Sequence, residues 1–230
     1  AVDFLDFESG EVVTLAAADL ELGYRTSALK RGRLGVVLSL ELELHDAGGR
    51  SDPVAYAQLA SSLGVELGAT VPLVAARDAV LSLRAGKGMV WNPADPDSIS
   101  AGSFFTNPIV SETFARTLPA DAPRYPTEPE EPPRVLPLGS EIPVADGPSS
   151  GEYLVKLSAA WLIERAGIQR GFALPGSGAA ISRKHTLAIV NRDSATAADV
   201  VQLAGYVRTR VLSEFGVALQ PEPMLVGVQV

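Results

Sequence analysis

The sequence predicts an α+β fold. Two-residue alternation and helix-spaced apolar stripes both occur along the chain. They follow one another without the regular strand–helix–strand order of a parallel sheet, which places the fold among the segregated α+β architectures. With 230 residues, 47% hydrophobic and 20% charged, the chain suffices for one large domain or two small ones, each with a real core.

The elements can be taken in order. Val2–Phe7 and Glu11–Leu15 are strand-like runs joined by Glu8-Ser9-Gly10, a hairpin signal. Gly35–Leu44 is the clearest strand, alternating strictly from Leu38 to Leu44, and Asp46–Pro53 ends it with loop chemistry. Pro72–Arg84 reads as a helix: Leu73, Ala76, Val80 and Leu83 share a face, Pro72 suits the first turn and Gly86 the end. Between Leu118 and Ser150 lie nine of the 17 prolines, centred on the acidic Thr127–Pro133, a composition expected to form an exposed insertion. Arg124 and Arg134 flank that centre, a weak signal for partner recognition. Beyond it, Leu157–Ala166 reads as a helix capped by Gly167, and Lys184–Asn191 as a buried strand. Thr196 and Asp199 form a capping-box start for a helix to about Phe215, with Val200, Leu203, Val207 and Val211 as its stripe. Gly216–Gln220 and Met224–Val230 read as closing strands around Pro221-Glu222-Pro223.

Bulk composition excludes several functions. A net charge of −8 and a pI near 4.8, with no basic patch in view, argue against nucleic-acid binding. Without cysteine, and with His45 and His185 as the only histidines, no metal site is expected. The same lack fits a reducing cytoplasm, the expected location. No apolar run reaches membrane-spanning length, so no membrane insertion is expected. There is no internal repeat, dinucleotide fingerprint or P-loop. Ala1 leads at once into a strand pattern with no initiator Met, the mark of a chain cut inside a domain or of a processed terminus.

Four islands carry more chemistry than packing requires. In Gly23–Ser27, Arg25 is either a solvated turn residue, the better reading on sequence alone, or an anion clamp that grips a carboxylate through two donors. Lys87, between Gly86 and Gly88, is either a basic residue at a helix end or a point charge for phosphate on a backbone that allows close approach. In Ala101–Pro108 (AGSFFTNP), Ser103 is either a turn hydroxyl or a proton donor, since no nearby histidine marks it as an activated nucleophile. Gly102 would give close approach, Phe104 and Phe105 would anchor the loop, and Asn107 would either orient a ligand or cap the turn. Glu222, flanked by prolines that restrict its backbone and remove local donors, is either an acid in a prepared setting or a chance strand entry.

The ordered set Gly23–Arg25 (GYR), Pro53–Tyr56 (PVAY), Ala101–Pro108, Val155–Gly167 (VKLSAAWLIERAG), Lys184–Asn191 and Gln220–Gly227 (QPEPMLVG) closely resembles bacterial UDP-N-acetylenolpyruvoylglucosamine reductases, the MurB family of UDP-N-acetylmuramate dehydrogenases. It covers nearly the whole chain outside the proline-rich segment. The resemblance implies the end of a flavin-binding domain over residues 1–52, a tyrosine-bearing loop and helix over 53–100, a substrate-binding domain over 101–220 with the insertion at 118–150, and a terminal strand over 221–230 carrying the acid. It implies FAD and NADPH as cofactors and UDP-N-acetylglucosamine enolpyruvate as substrate, reduced to UDP-N-acetylmuramate for peptidoglycan, and hence a role in cell-wall biogenesis, cell shape and division. It further implies Arg25, Ser103 and Glu222 as catalytic residues, with Ser103 the proton donor. Tyr56, Lys87, Asn107 and His185 become substrate contacts; for His185 a half-buried strand histidine is an equal reading. A monomer is favoured.

The family's glycine-rich flavin turns have no match in this sequence, so the chain by itself is expected to bind flavin weakly or not at all, and its first strands to expose a sheet edge. The alternative is a non-catalytic nucleotide-sugar-binding module, and a third reading is a structural domain whose islands are turns. The simultaneous presence of Arg25, Ser103 and Glu222 favours the enzyme, because a binding module needs no proton donor.

Overall fold

The structure, a computed structural model, describes residues 1–127 and 153–229. The chain forms two compact units, Ala1–Asp78 and Ala79–Val230.

In the first unit, alternation and the Ser9-Gly10 turn give an antiparallel hairpin of β1 (Val2–Asp6) and β2 (Val12–Leu15), in register Val2↔Leu15 to Leu5↔Val12. β3 (Gly35–Leu40) pairs with the other side of β1, so the order is β2-β1-β3. The first strand is therefore the centre of its sheet, while β2, the second of the strands expected to expose an edge, is an edge together with β3. Val2, Phe4 and Leu15 form the small core. Gly35 is required there, because a Cβ would lie 2.2 Å from the Phe4 ring. Asp6 accepts from the Arg33 guanidinium at 2.9 Å, and Arg33 also lies 5.4 Å from the Phe4 ring centre. β3 stops at Leu40, short of the expected Leu44, and Leu38 and Leu40 are exposed. Alternation correctly marks a strand with an apolar face; in this chain that face is open to solvent. α1 (Ala57–Leu63) follows Tyr56 and ends on Gly64. α2 (Leu73–Gly86) begins one residue after Pro72, as its spacing predicts.

The second unit holds two three-stranded antiparallel sheets. One has the order β4-β9-β8, from β4 (Ser100–Ser103), β8 (Ala179–Ile181) and β9 (Ala188–Asn191). The other is β5-β7-β6, from β5 (Ile109–Ser111), β6 (Arg124–Thr127) and β7 (Leu154–Leu157). The short α3 (Glu112–Ala115) is capped by the Ser111 hydroxyl, and α4 (Ala159–Arg165) by that of Ser158. α5 (Ala197–Phe215) carries the full capping box of Thr196 and Asp199 and ends on Gly216 at φ 68°. Leu203, Val207 and Val211 are fully buried against Leu157, Leu162, Ile163 and Ile181, so the stripe read from the sequence is the core face.

Three expectations are corrected. Lys184–Leu187 do not continue the strand that begins at Ala188; they form the turn after β8, a strand too short to read from its pattern. The segments 216–220 and 224–229 form no strands, and among the described residues the sole pairing beside them is an isolated bridge between Phe105 and Pro221. Leu118–Thr127 is only partly the exposed insertion expected: Leu118 and Ala122 are buried, while Pro119, Ala120, Asp121, Tyr125 and Pro126 are exposed. There the Arg124 guanidinium donates to the carbonyls of Ala115, Leu118, Pro119, Ala120 and Ala122, at 3.0 to 3.2 Å. This arginine holds a turn together, in place of the partner recognition weighed from the sequence. The remainder of the proline-rich segment, Arg134 included, lies outside the described residues.

Candidate functional site

The second unit brings Ser103, Glu222, Lys87 and His185 to one neighbourhood through a defect in a sheet. β4 and β9 pair at Ser100↔Val190 and again at Ser103↔Ala188, so that Ala101 and Gly102 on one strand stand against Ile189 alone on the other. The extra residue makes a bulge, and Gly102 sits in it at φ 81°. A Cβ on Gly102 would touch nothing within 4 Å. Within the chain itself the glycine thus serves by its backbone angle. The bulge re-aims Ser103, whose Oγ lies 3.2 Å from the Nε2 of His185.

Proline chemistry brings Glu222 alongside. Pro221 and Pro223 have no N–H, so Glu222 holds the single backbone donor of that triplet, and it donates to the Phe104 carbonyl at 2.8 Å. Thr106 donates to the Gln220 carbonyl at 3.0 Å on the same seam. The backbone of Glu222 is thereby fixed to the residue after Ser103, and its side chain is half-buried. Phe104 and Phe105 are buried edge-to-face, 5.1 Å apart, and anchor the segment as expected.

Asn107 caps: its Oδ1 accepts from the backbone N–H of Ala159 at 2.9 Å, the first residue of α4. Lys87 follows α2 and is half-buried. Gly88 beside it has φ 70°, and a Cβ there would lie 2.5 Å from the Asp97 carbonyl oxygen. Here the reason for glycine is the close approach of the Asp97 backbone. The buried Asp97 carboxylate accepts from the Arg183 N–H at 2.8 Å, and Lys184 Nζ reaches Asp95 at 2.7 Å, holding that carboxyl below its ordinary range. The Lys87 loop, the 95–98 turn and the 182–187 turn are in this way joined.

His185 belongs to the last of these. The buried Ser182 hydroxyl accepts from the N–H groups of Lys184 and His185, at 3.0 and 3.3 Å. Burial, and then the positive charges of Lys87 and Arg170, push the His185 pKa below its ordinary value. The imidazole is therefore held neutral, close to two cations.

In the first unit, Arg25 occupies the turn closed by Gly23 and Thr26 at φ 57° and is exposed. Tyr56 is 76% exposed, directly ahead of α1. Sequence reading missed the proximity of Ser103 and His185, because their 82-residue separation is closed only by the β4–β9 pairing. It also passed over Asp97, Ser182 and Thr186, buried polar residues whose only sequence signal is the turn chemistry around them.

A family profile described as the C-terminal domain of UDP-N-acetylenolpyruvoylglucosamine reductase matches residues 95–226. The chain is 64% identical to the UDP-N-acetylenolpyruvoylglucosamine reductase of Leifsonia xyli subsp. xyli, over 99% of this chain and 63% of that protein. It is 50% identical to that of Saccharopolyspora erythraea, over 98% of this chain and 58% of the relative. A solved MurB from Thermus caldophilus shares 22% identity at a TM-score of 0.47, covering 96% of this chain and 50% of that one. The chain thus spans about three fifths of the length of these two curated relatives. Since the matched residues 95–226 make up more than half of the chain, the chain belongs to the UDP-N-acetylenolpyruvoylglucosamine reductase family.

Proposed function

We propose that this chain supplies the substrate-side half of a flavin- and NADPH-dependent reductase that converts UDP-N-acetylglucosamine enolpyruvate to UDP-N-acetylmuramate. The observation that carries the reading is the Ser103 hydroxyl, presented by a bulge beside a neutral imidazole and next to the Glu222 segment. A nucleotide-sugar-binding module has no use for a proton donor built this way.

The flavin, when bound, supplies the hydride that adds to the β-carbon of the enolpyruvyl group. The chain's own residues act on the charge that follows. Negative charge grows on the α-carbon and its carboxylate, and donors aimed at that charge lower the barrier. Ser103 Oγ–H gives its proton to the α-carbon. A hydroxyl is a weak acid, but the carbanion it meets is a strong base. Lys87 is assigned to the diphosphate as a point charge, and Asn107 to the sugar, its carbonyl oxygen holding the segment on α4. Glu222 is assigned to the reacting centre. Arg25 and Tyr56 keep the roles the resemblance gives them, carboxylate clamp and nucleotide-sugar contact, on the sequence alone.

The test separates the two half-reactions in a flavin-loaded protein carrying this chain. Ser103→Ala should slow reoxidation of the reduced flavin by the UDP-sugar and leave flavin reduction by NADPH unchanged. Equal parent and variant rates in both halves would remove the proton-donor role.

A further inference from the structure

We propose that His185 is the positioning residue for Ser103: its Nε2–H donates into the serine oxygen, leaves the hydroxyl proton for the substrate carbon, and holds the alkoxide formed when that proton departs. This deepens the proposed function and rests on it. Three sets of contacts support it.

The first is geometry. Ser103 Oγ and His185 Nε2 are 3.2 Å apart, across a ladder that fixes both backbones: Ser103 is in register with Ala188, Phe104 N–H donates to the Leu187 carbonyl at 2.7 Å, and Ala188 N–H donates to the His185 carbonyl at 3.0 Å. The second is a brace beneath the turn. Thr186, 2% exposed, donates its hydroxyl to Glu164 of α4, while Arg170 Nε donates to the same hydroxyl at 3.3 Å and lies 3.4 Å from the Glu164 carboxylate. A surface turn with a free histidine needs no such clip. The third is charge. Lys87 and Arg170, the two charged groups acting on the ring, favour its neutral form and also any negative charge on the oxygen it faces.

The direction of the hydrogen bond decides the chemistry. If Nε2 accepts, the serine proton points at the ring, away from the carbon it must reach. If Nε2–H donates, that proton is available to the substrate. In the step itself the O–H bond of Ser103 breaks and a C–H bond forms at the α-carbon. The electron pair of the broken bond stays on Oγ, where the imidazole N–H bonds to it, and a solvent proton later restores the hydroxyl.

Two measurements test this separately from the reaction assigned above. Nitrogen NMR of the ring needs no substrate: the Nε2–H tautomer is expected, with a shift at Nε2 in Ser103→Ala, and an Nδ1–H tautomer overturns the proposal. In the half-reaction with the UDP-sugar, His185→Leu and His185→Asn should each lose about 100-fold, the scale of one donor to a developing oxyanion. Asn is included because it keeps the site polar yet does not reach the Nε2 position. His185→Gln, which does reach it with an N–H, should recover most of that loss. Adding His185→Leu to Ser103→Ala should cost nothing further. Full multiplication of the two losses, or no loss in His185→Leu, overturns the proposal. A parent that fails to reduce the UDP-sugar overturns the proposed function instead, and leaves the tautomer measurement standing.

Discussion

Gly88 and Gly102 offer a matched pair of perturbations, since each has positive φ and each would gain a single methyl as alanine. At Gly102, φ is 81° and the methyl would find open space. Only the backbone angle is penalised, at about 1–2 kcal/mol. At Gly88, φ is 70° and the methyl would meet the Asp97 carbonyl oxygen at 2.5 Å. The same backbone penalty applies, and forcing an atom into a packed site adds about 1–3 kcal/mol. Gly88→Ala should therefore be the more destabilising by at least about 1 kcal/mol. Urea unfolding followed by tryptophan fluorescence measures this directly, because both tryptophans, Trp91 and Trp161, lie in the second unit. Activity should not follow stability. Gly102→Ala strains the bulge that aims Ser103 and should slow the UDP-sugar half-reaction, whereas Gly102→Asn, tolerant of positive φ, should slow it less. Equal destabilisation by the two alanines would refute the steric argument. An unaltered half-reaction in a folded Gly102→Ala protein would refute the bulge as the device that aims the serine.

Arg124→Lys keeps the charge but loses the planar fork that serves several carbonyls at once, and should lower stability by about 1–3 kcal/mol in the same unfolding assay. Asn107→Ala leaves the fully buried Ala159 without the partner its N–H now has, at a cost of about 1–3 kcal/mol, read as a lower urea midpoint. His185 titrates below its ordinary 6.5 in the folded chain, so the unfolded chain binds more protons between those two values. Its contribution to stability is complete above 6.5 and is lost as pH falls through 6.5 towards the folded value. Melting temperature followed downward from neutral pH should show that loss, and His185→Gln should flatten it.

Legibility from sequence depended on how local each signal is. The capping box at Thr196 and Asp199, with Leu203, Val207 and Val211 behind it, lies within one helix and was read in full. The β1–β2 hairpin was legible for the same reason. Lys184–Asn191 misled because an apolar run carries no mark of where a turn ends and a strand begins; Ser182 and Thr186, small polar residues buried in that turn, decide it. Ser103 and Glu222 were legible as unusual residues, but the grouping with His185 needed the pairing of β4 with β9 and of Phe104 with Glu222, both long-range. β3 shows the remaining limit: its alternation predicts a covered face, and a pattern cannot state what covers it.

β6 and β7 are neighbours in one sheet, and their last pair is Thr127↔Leu154. The departure and return points of residues 128–152 are therefore already side by side, fixed by strands that do not depend on what joins them. For any flexible chain joining two such neighbours the folding cost varies only with the logarithm of its length, so that doubling it adds about 0.6 kcal/mol. This edge of the molecule is thus a natural insertion port. A fluorescent reporter or an affinity handle grafted there would ride on the sheet without disturbing the bulge, the serine or the histidine.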